Sequence, residues 1–408
     1  MKEHDAQAPK LAREPVTQSP LDRLAGQEPG RAEHEGTGVG HEMPRRSRIA
    51  VVYGTRPEAV KLRGVVALLG GAAYAVHTGQ HYDPEMAATF EAGIGFPSPD
   101  HRLSIGGGSR GRQIAEATVG LESLFAREEF AAVIVQGDTN SALSGALAAN
   151  ISRLPLVHVE AGLRSHDRAM PEEHNRVVVD HLADLCCAPT ATSAANLANE
   201  GITGVDRVAV TGNTVVEAVL ELRPDDAATN TILATHGVMR DRFVLATFHR
   251  PENVDDPQVL SELLGELAAL PIPVVLPLHP RTAVRAAEAG LEPLLDKLLV
   301  APPVGYREFL GLMGAAALIV SDSGGVQEES SVVKRPVIVV RNSTERPEVV
   351  GTFSRLVRPG SGFAGAAKEL LDDLAGVHER LAALPSPYGD GHASARTVAA
   401  TDRLLASR

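Results

Sequence analysis

The chain has 408 residues, 44% of them apolar and 22% charged, which is ordinary globular composition and long enough to predict two hydrophobic cores rather than one. Its formal charge of −12 argues against a basic nucleic-acid surface, and no stretch approaches the ~20 consecutive apolar residues that cross a bilayer. Cys186 and Cys187 are adjacent and cannot build a disulfide framework; with no signal-peptide pattern at the start, a reducing, cytoplasmic setting is expected.

Residues 1–47 are rich in Glu, Gly, Pro, Ala and Arg and poor in β-branched and aromatic residues. Such a stretch buries too little surface to offset its ordering entropy, so a disordered extension is expected there. Residues 1–48 hold eight Lys/Arg and eight Asp/Glu, so the whole −12 belongs to the remainder. Order is predicted to begin at "RIAVVYGTRPE", with Ile49 to Tyr53 as a fully buried strand. Arg56 and Lys61 follow it; the G-x-G-x-x-G fingerprint is absent, and Arg56 taken alone reads as a surface cation.

"AAVIVQGDT" is the next clear strand, "NSALSGALAANISR" a helix and "PLVHVEAG" another strand. This alternation predicts an α/β fold with a parallel sheet covered on both faces. Asp138 closes the first of these strands, where an Asp or Thr serves equally as a helix N-cap. Glu160 closes the next, so the two carboxylates are expected along one sheet edge, with Glu172 able to reach it from the following loop. Carboxylates that close raise one another's proton affinity and become usable as acids or bases near neutral pH. His77, His81, His158 and His174 show no zinc-type spacing, so neither a metal nor another cofactor is predicted.

The pattern restarts beyond a junction near Gly212–Glu221, with "RFVLATFHR", "IPVVLPLHP", "ALIVSDSGG" and "RPVIVVRNST" as buried strands ending in polar residues. His249 and Arg250 follow the first of these; a lone histidine there reads as structural, or as an anion and proton partner. Ser323, Gly324 and Gly325 form a tight turn, with a helix expected from Val326 onward. The free amides of such a helix start suit phosphate, while simple capping by Asp322 or Ser323 explains the residues equally well. Because open parallel sheets bind ligands beyond the carboxyl ends of their strands, two such sheets predict a ligand in the cleft between them. Local cations and a Gly-turn helix suit a diphosphate, and carboxylates with a histidine suit proton transfer beside it. The ligand these clusters imply together is a nucleotide-linked sugar.

The ordered strings "GTRPEAVKL", "TGQHYD", "QGDTNSAL", "HVEAGLRS" with "PEEHNR", "GNTVVEAV", "HRPENVDD", "DSGGVQEE" and "RNSTERPE" resemble the non-hydrolysing UDP-N-acetylglucosamine 2-epimerases from about Arg48 onward. The resemblance implies two Rossmann-like domains in the glycosyltransferase-B arrangement, residues 48–212 and 213–392. It also implies a C-terminal helix near 393–408 returning to the first domain, and a homodimer. It implies elimination of UDP from C1 with loss of the C2 proton, a 2-acetamidoglucal held in the cleft, and re-addition of UDP after reprotonation on the other face.

By that resemblance Asp138, Glu160 and Glu172 form the acid/base set, with His249 near the phosphates and Asp167 and Glu173 as solvated neighbours. Arg56, Ser323, Gly324, Gly325, Glu329 and Arg346 match UDP contacts and Phe309 a ring packed on uracil; Lys61 and Arg176 match positions of the same site. Gln80, His81, Arg112 and His279 match parts of a second UDP-sugar site that activates bacterial members, with Asp83 where glutamine is typical. "HRPENVDD" is closer to archaeal members and to epimerases of modified UDP-sugars such as UDP-diacetamido-glucuronic acid. Epimerisation of such a sugar, a hydrolysing 2-epimerase and a non-catalytic nucleotide-sugar sensor are the rival expectations.

Overall fold

The computed structural model describes residues 48–80, 84–105 and 108–408. The tail at 1–47, His81 and Asp83 lie outside the described residues. Thirteen described strands form two parallel sheets. The first contains β1 (Ile49–Tyr53), β2 (Ala73–His77), β3 (His101–Arg102), β4 (Ala132–Gln136), β5 (Leu156–Val159), β6 (Leu185–Ala188) and β7 (Val208–Val210), in the order β3-β2-β1-β4-β5-β6-β7. The second contains β8 (Val244–Thr247), β9 (Val274–Pro277), β10 (Leu299–Ala301), β11 (Leu318–Ser321), β12 (Val337–Val340) and β13 (Ser354–Val357), in the order β10-β9-β8-β11-β12-β13. Both are doubly wound, as the alternation of apolar runs and helices predicts, and each reverses direction beside its first strand.

The central strands are continuous apolar runs because helices cover both faces. IAVVY in β1 and AVIVQ in β4 are buried at every position. Successive residues of β1 pack on opposite faces of the sheet. Val51 and Tyr53 join one core with the helix Arg56–Leu69, while Ala50 and Val52 join another with Leu121, Ala142 and Ala146. Cys186 and Cys187 divide between the same two cores and behave as small apolar side chains; burial pushes the Cys187 thiol up to about 12.

The helix Ala393–Ala406 packs on the helix Arg56–Leu69 and on β6, although it follows the second sheet in the chain. Its Ser394 amide donates to Glu217 at 2.8 Å, and Thr397, Ala400 and Thr401 are buried. The two halves therefore share a hydrophobic cluster that includes Val215, Val219, Val332, Phe353 and Tyr388.

Candidate active site

Most of the polar clusters singled out in the sequence follow a strand's carboxyl end and face one cleft of about 790 Å³ between the sheets. After β1 the chain turns at Gly54, where a Cβ would come within 2.1 Å of the Ser141 hydroxyl. Pro57, in the first helical turn, tolerates the missing amide donor there. Arg56 lines the cleft with its guanidinium 5.3 Å from the Phe90 ring centroid. Lys61 is buried one turn further along the same helix.

After β4, Gly137 adopts φ +69° and Thr139, not Asp138, caps the helix Asn140–Ile151, its hydroxyl accepting from the Ala142 amide at 3.0 Å. The Asp138 carboxylate is thereby left to the cleft, where Arg176 pairs with it. Arg176 itself is buried, is not among the lining residues, and also pairs with Glu173.

Glu160 follows β5 with φ +69°, a left-handed conformation that costs a non-glycine residue of order 1 kcal/mol and that its surroundings must hold in place. Its carboxylate meets Lys61, Arg346 at 3.2 Å, Gln136 at 3.1 Å and Asn213 at 3.3 Å. Lys61 and Arg346 also hold Glu328, at 2.8 and 2.9 Å. Two cations and two carboxylates therefore alternate in a buried cluster drawn from both halves of the chain. Burial and the nearby Glu328 charge push the Glu160 carboxyl up from its usual range, against the pull of Lys61 and Arg346.

Glu172 stands exposed in the first turn of the helix Pro171–Leu182 and lines the cleft. Its neighbour Glu173 is not the solvated residue expected. It is buried and accepts from the Ser165 and His166 amides at 3.0 and 2.8 Å, bonds that help hold its carboxyl below the usual range against the effect of burial. Adjacent helical positions point about 100° apart, which separates the two glutamates into different surroundings.

On the opposite wall, the helix Gly324–Val333 begins two residues earlier than the sequence reading placed it, and no side chain caps it. Neither Asp322 nor Ser323 provides the side-chain capping that was the alternative reading; the buried Asp322 carboxylate accepts from the His249 and Arg250 amides at 3.0 and 2.9 Å and from Asn253 at 3.1 Å, and pairs with the His249 ring at 3.1 Å. The first amides of the helix therefore open toward the cleft beside Ser323, Gly324 and Gly325. A Cβ on Gly324 would lie 2.9 Å from the Arg346 guanidinium, so the glycine permits that approach. His249 and His279 line this wall with ring centroids 5.4 Å apart, and Phe309 and Glu329 join them. Tyr306 donates to Glu329 at 2.8 Å, and burial pushes that carboxyl up to about 7.

Gln80 instead accepts from the Ser141 amide at 3.1 Å, and Arg112 pairs with Glu116 on an exposed helix face; neither is among the lining residues. Sequence reading passed over Glu58, Gln136, Asn213, Tyr306, Glu328 and Glu345. Glu58 lies inside the quoted "GTRPE" and Asn213 inside "GNTVV", so their strings were visible but their partners were not. Burial pushes Glu58 up to about 7, although Gly54 and Thr139 donate to it at 3.1 and 2.7 Å. The cleft thus sets a wall of carboxylates against a wall carrying a histidine pair and an uncapped helix start. That arrangement can hold an anion while a proton moves beside it.

The family model described as UDP-N-acetylglucosamine 2-epimerase matches residues 72–402. A UDP-N-acetylglucosamine 2-epimerase of Methanococcus maripaludis is 36% identical over 356 residues, spanning 85% of this chain and 95% of the relative. A UDP-2,3-diacetamido-2,3-dideoxy-D-glucuronate 2-epimerase of Pseudomonas aeruginosa is 35% identical over 360 residues, spanning 86% and 98%. Among solved structures, the Methanocaldococcus jannaschii UDP-GlcNAc 2-epimerase in complex with UDP-GlcNAc and UDP aligns with a TM-score of 0.79 at 35% identity, covering 87% of this chain and 99% of that one. The Neisseria meningitidis enzyme bound to UDP-GlcNAc aligns with a TM-score of 0.78 at 30% identity, covering 87% and 100%.

Proposed function

This chain belongs to the UDP-N-acetylglucosamine 2-epimerase family, and we propose that it interconverts UDP-N-acetylglucosamine and UDP-N-acetylmannosamine without net hydrolysis. The C2 proton of the sugar is hardly acidic alone. As the C1–O bond to UDP breaks, positive charge builds at C1 and the neighbouring C–H weakens. A carboxylate then takes the proton, leaving a 2-acetamidoglucal with a C1=C2 double bond. Delivery of a proton to the opposite face of C2 and return of the UDP oxygen to C1 complete the inversion, with atoms and electrons conserved.

The observation that carries this reading is the pairing of walls across one cleft, because leaving-group stabilisation and proton transfer must act on adjacent carbons at once. The open amides at Gly324, together with Arg346, Arg56 and His249, suit the diphosphate; Glu329 and Phe309 suit the nucleoside. Asp138, Glu160 and Glu172 suit the two faces of C2, since inversion needs proton donors and acceptors on both. Lys61 and Arg176 hold Glu160 and Asp138 in place. A homodimer and activation by a second UDP-sugar near His279 accompany this reading.

Proton NMR in D2O tests it directly. The manno epimer, with deuterium at C2, is expected from UDP-N-acetylglucosamine. Free UDP with N-acetylmannosamine would select hydrolysis instead. The similarity to the Pseudomonas aeruginosa relative makes the diacetamido-glucuronate the second substrate to offer, and turnover of that sugar alone would reassign the specificity.

A further inference from the structure

The helix Pro171–Leu182 contributes more to the cleft than Glu172. From the third turn of that helix, the fully buried Asp180 reaches both turns that carry the other two carboxylates. One oxygen pairs with the His158 ring at 2.7 Å, and the other Nε2 face of that ring meets the Gly137 carbonyl at 2.9 Å, one residue before Asp138. The second oxygen accepts from the Gly162 amide at 3.2 Å, two residues after the left-handed Glu160, and pairs with Arg164 at 2.7 Å. The His158 ring is thereby held between the Asp180 carboxylate and the Gly137 carbonyl, one at each ring nitrogen. Burial alone would raise the Asp180 carboxyl, yet the His158 and Arg164 charges hold it below its usual range.

We propose that Asp180 and His158 act as a positioning pair that sets the mutual geometry of Asp138, Glu160 and Glu172 and thereby the rate of proton transfer at C2, a role that rests on the reaction proposed above. Gly137 at φ +69° and Gly162 at φ +82° bracket turns that other conformations of the backbone would open, and Glu160 holds an unfavourable φ between them. Asn175 on the same helix donates to the Asp138 carbonyl at 2.8 Å, and Arg176 grips its carboxylate. One helix thus ties down all three acid/base segments, and Asp180 is the point where two of those ties converge. Neither residue is among those that line the cleft, so the pair works through the turns.

The test compares His158→Gln and Asp180→Asn with the unaltered full chain, reading UDP affinity by calorimetry, kcat and KM for epimerisation, and deuterium entry at C2. UDP affinity within about 2-fold of the unaltered protein and a kcat lowered by about 100-fold, with KM nearly constant and C2 exchange falling in parallel, is the expected result, the size following from a carboxylate displaced by about 1 Å. A folded variant that keeps kcat within about 3-fold, or that loses only KM, overturns the proposal. If one variant fails to fold, the other decides; if neither folds, the pair belongs to the stability of the sheet and the proposal is likewise overturned. Absence of C2 exchange in the unaltered protein, with either UDP-sugar, would overturn the proposed reaction and this inference with it.

Discussion

At the scale of single residues, two glutamates one position apart behave as opposites. Glu173 ties the Ser165–His166 backbone to Arg176, whereas Glu172 is exposed on the cleft wall. Glu172→Gln is therefore expected to leave the melting temperature within about 1 °C while lowering turnover by about 100-fold or more, measured by differential scanning calorimetry and epimerase assay. Glu58 carries a different prediction. Its folded-state pKa is raised from 4.5 to about 7 by burial, so between these values the folded chain binds more protons than the unfolded one, and this residue's contribution to stability fades as pH rises through that window. Glu58→Gln removes the titration, so the variant should lose less stability than the unaltered protein between pH 5 and pH 8 in paired thermal melts.

Among the elements, the start of the helix Gly324–Val333 and the helix Ala393–Ala406 matter most. The first is uncapped: Ser323 at its N-cap makes no side-chain capping bond, and Asp322, the other candidate by sequence, is committed to the loop after β8. Gly324→Ala would drive a methyl into the Arg346 guanidinium and the Glu345 carboxylate, 2.9 and 3.0 Å from the new atom. UDP affinity is expected to fall by about 10-fold or more, read by calorimetry, with little change in the fold. The terminal helix covers the helix Arg56–Leu69 and takes its Ser394 to Glu217. Removing residues 391–408 should expose that apolar face and lower the melting temperature by several degrees at least, following the area removed from protein contact. The burial of "IAVVY" and "AVIVQ" was legible from the sequence because it follows from composition over a few residues. The docking site of the terminal helix was expected only through the family resemblance, since its amphipathic pattern specifies a face and not the partner of that face.

For the molecule as a whole, the buried cluster of Lys61, Glu160, Glu328 and Arg346 joins the two halves beneath the cleft. Lys61→Met would leave two buried carboxylates with one cation between them. A loss of roughly 3–5 kcal/mol is expected in chemical denaturation, because an unpaired buried charge costs more than the pair contributes. Bound UDP should recover part of that loss, by an amount that grows with the logarithm of its concentration over its dissociation constant.

The sequence by itself determined the central strands of both sheets, their doubly wound arrangement and the turns that carry chemistry. Each of those follows from local periodicity and from the rule that parallel strands present their carboxyl ends to ligands. Only the tertiary structure decided which carboxylate is paired, which caps a turn and which is left to the cleft. Glu160 meets Lys61 across 99 residues and Arg346 across 186, and its raised proton affinity comes from burial and from Glu328. Charge interactions act through space and depend on the dielectric around them, so distances along the chain cannot encode them; the fold must first bring the groups together.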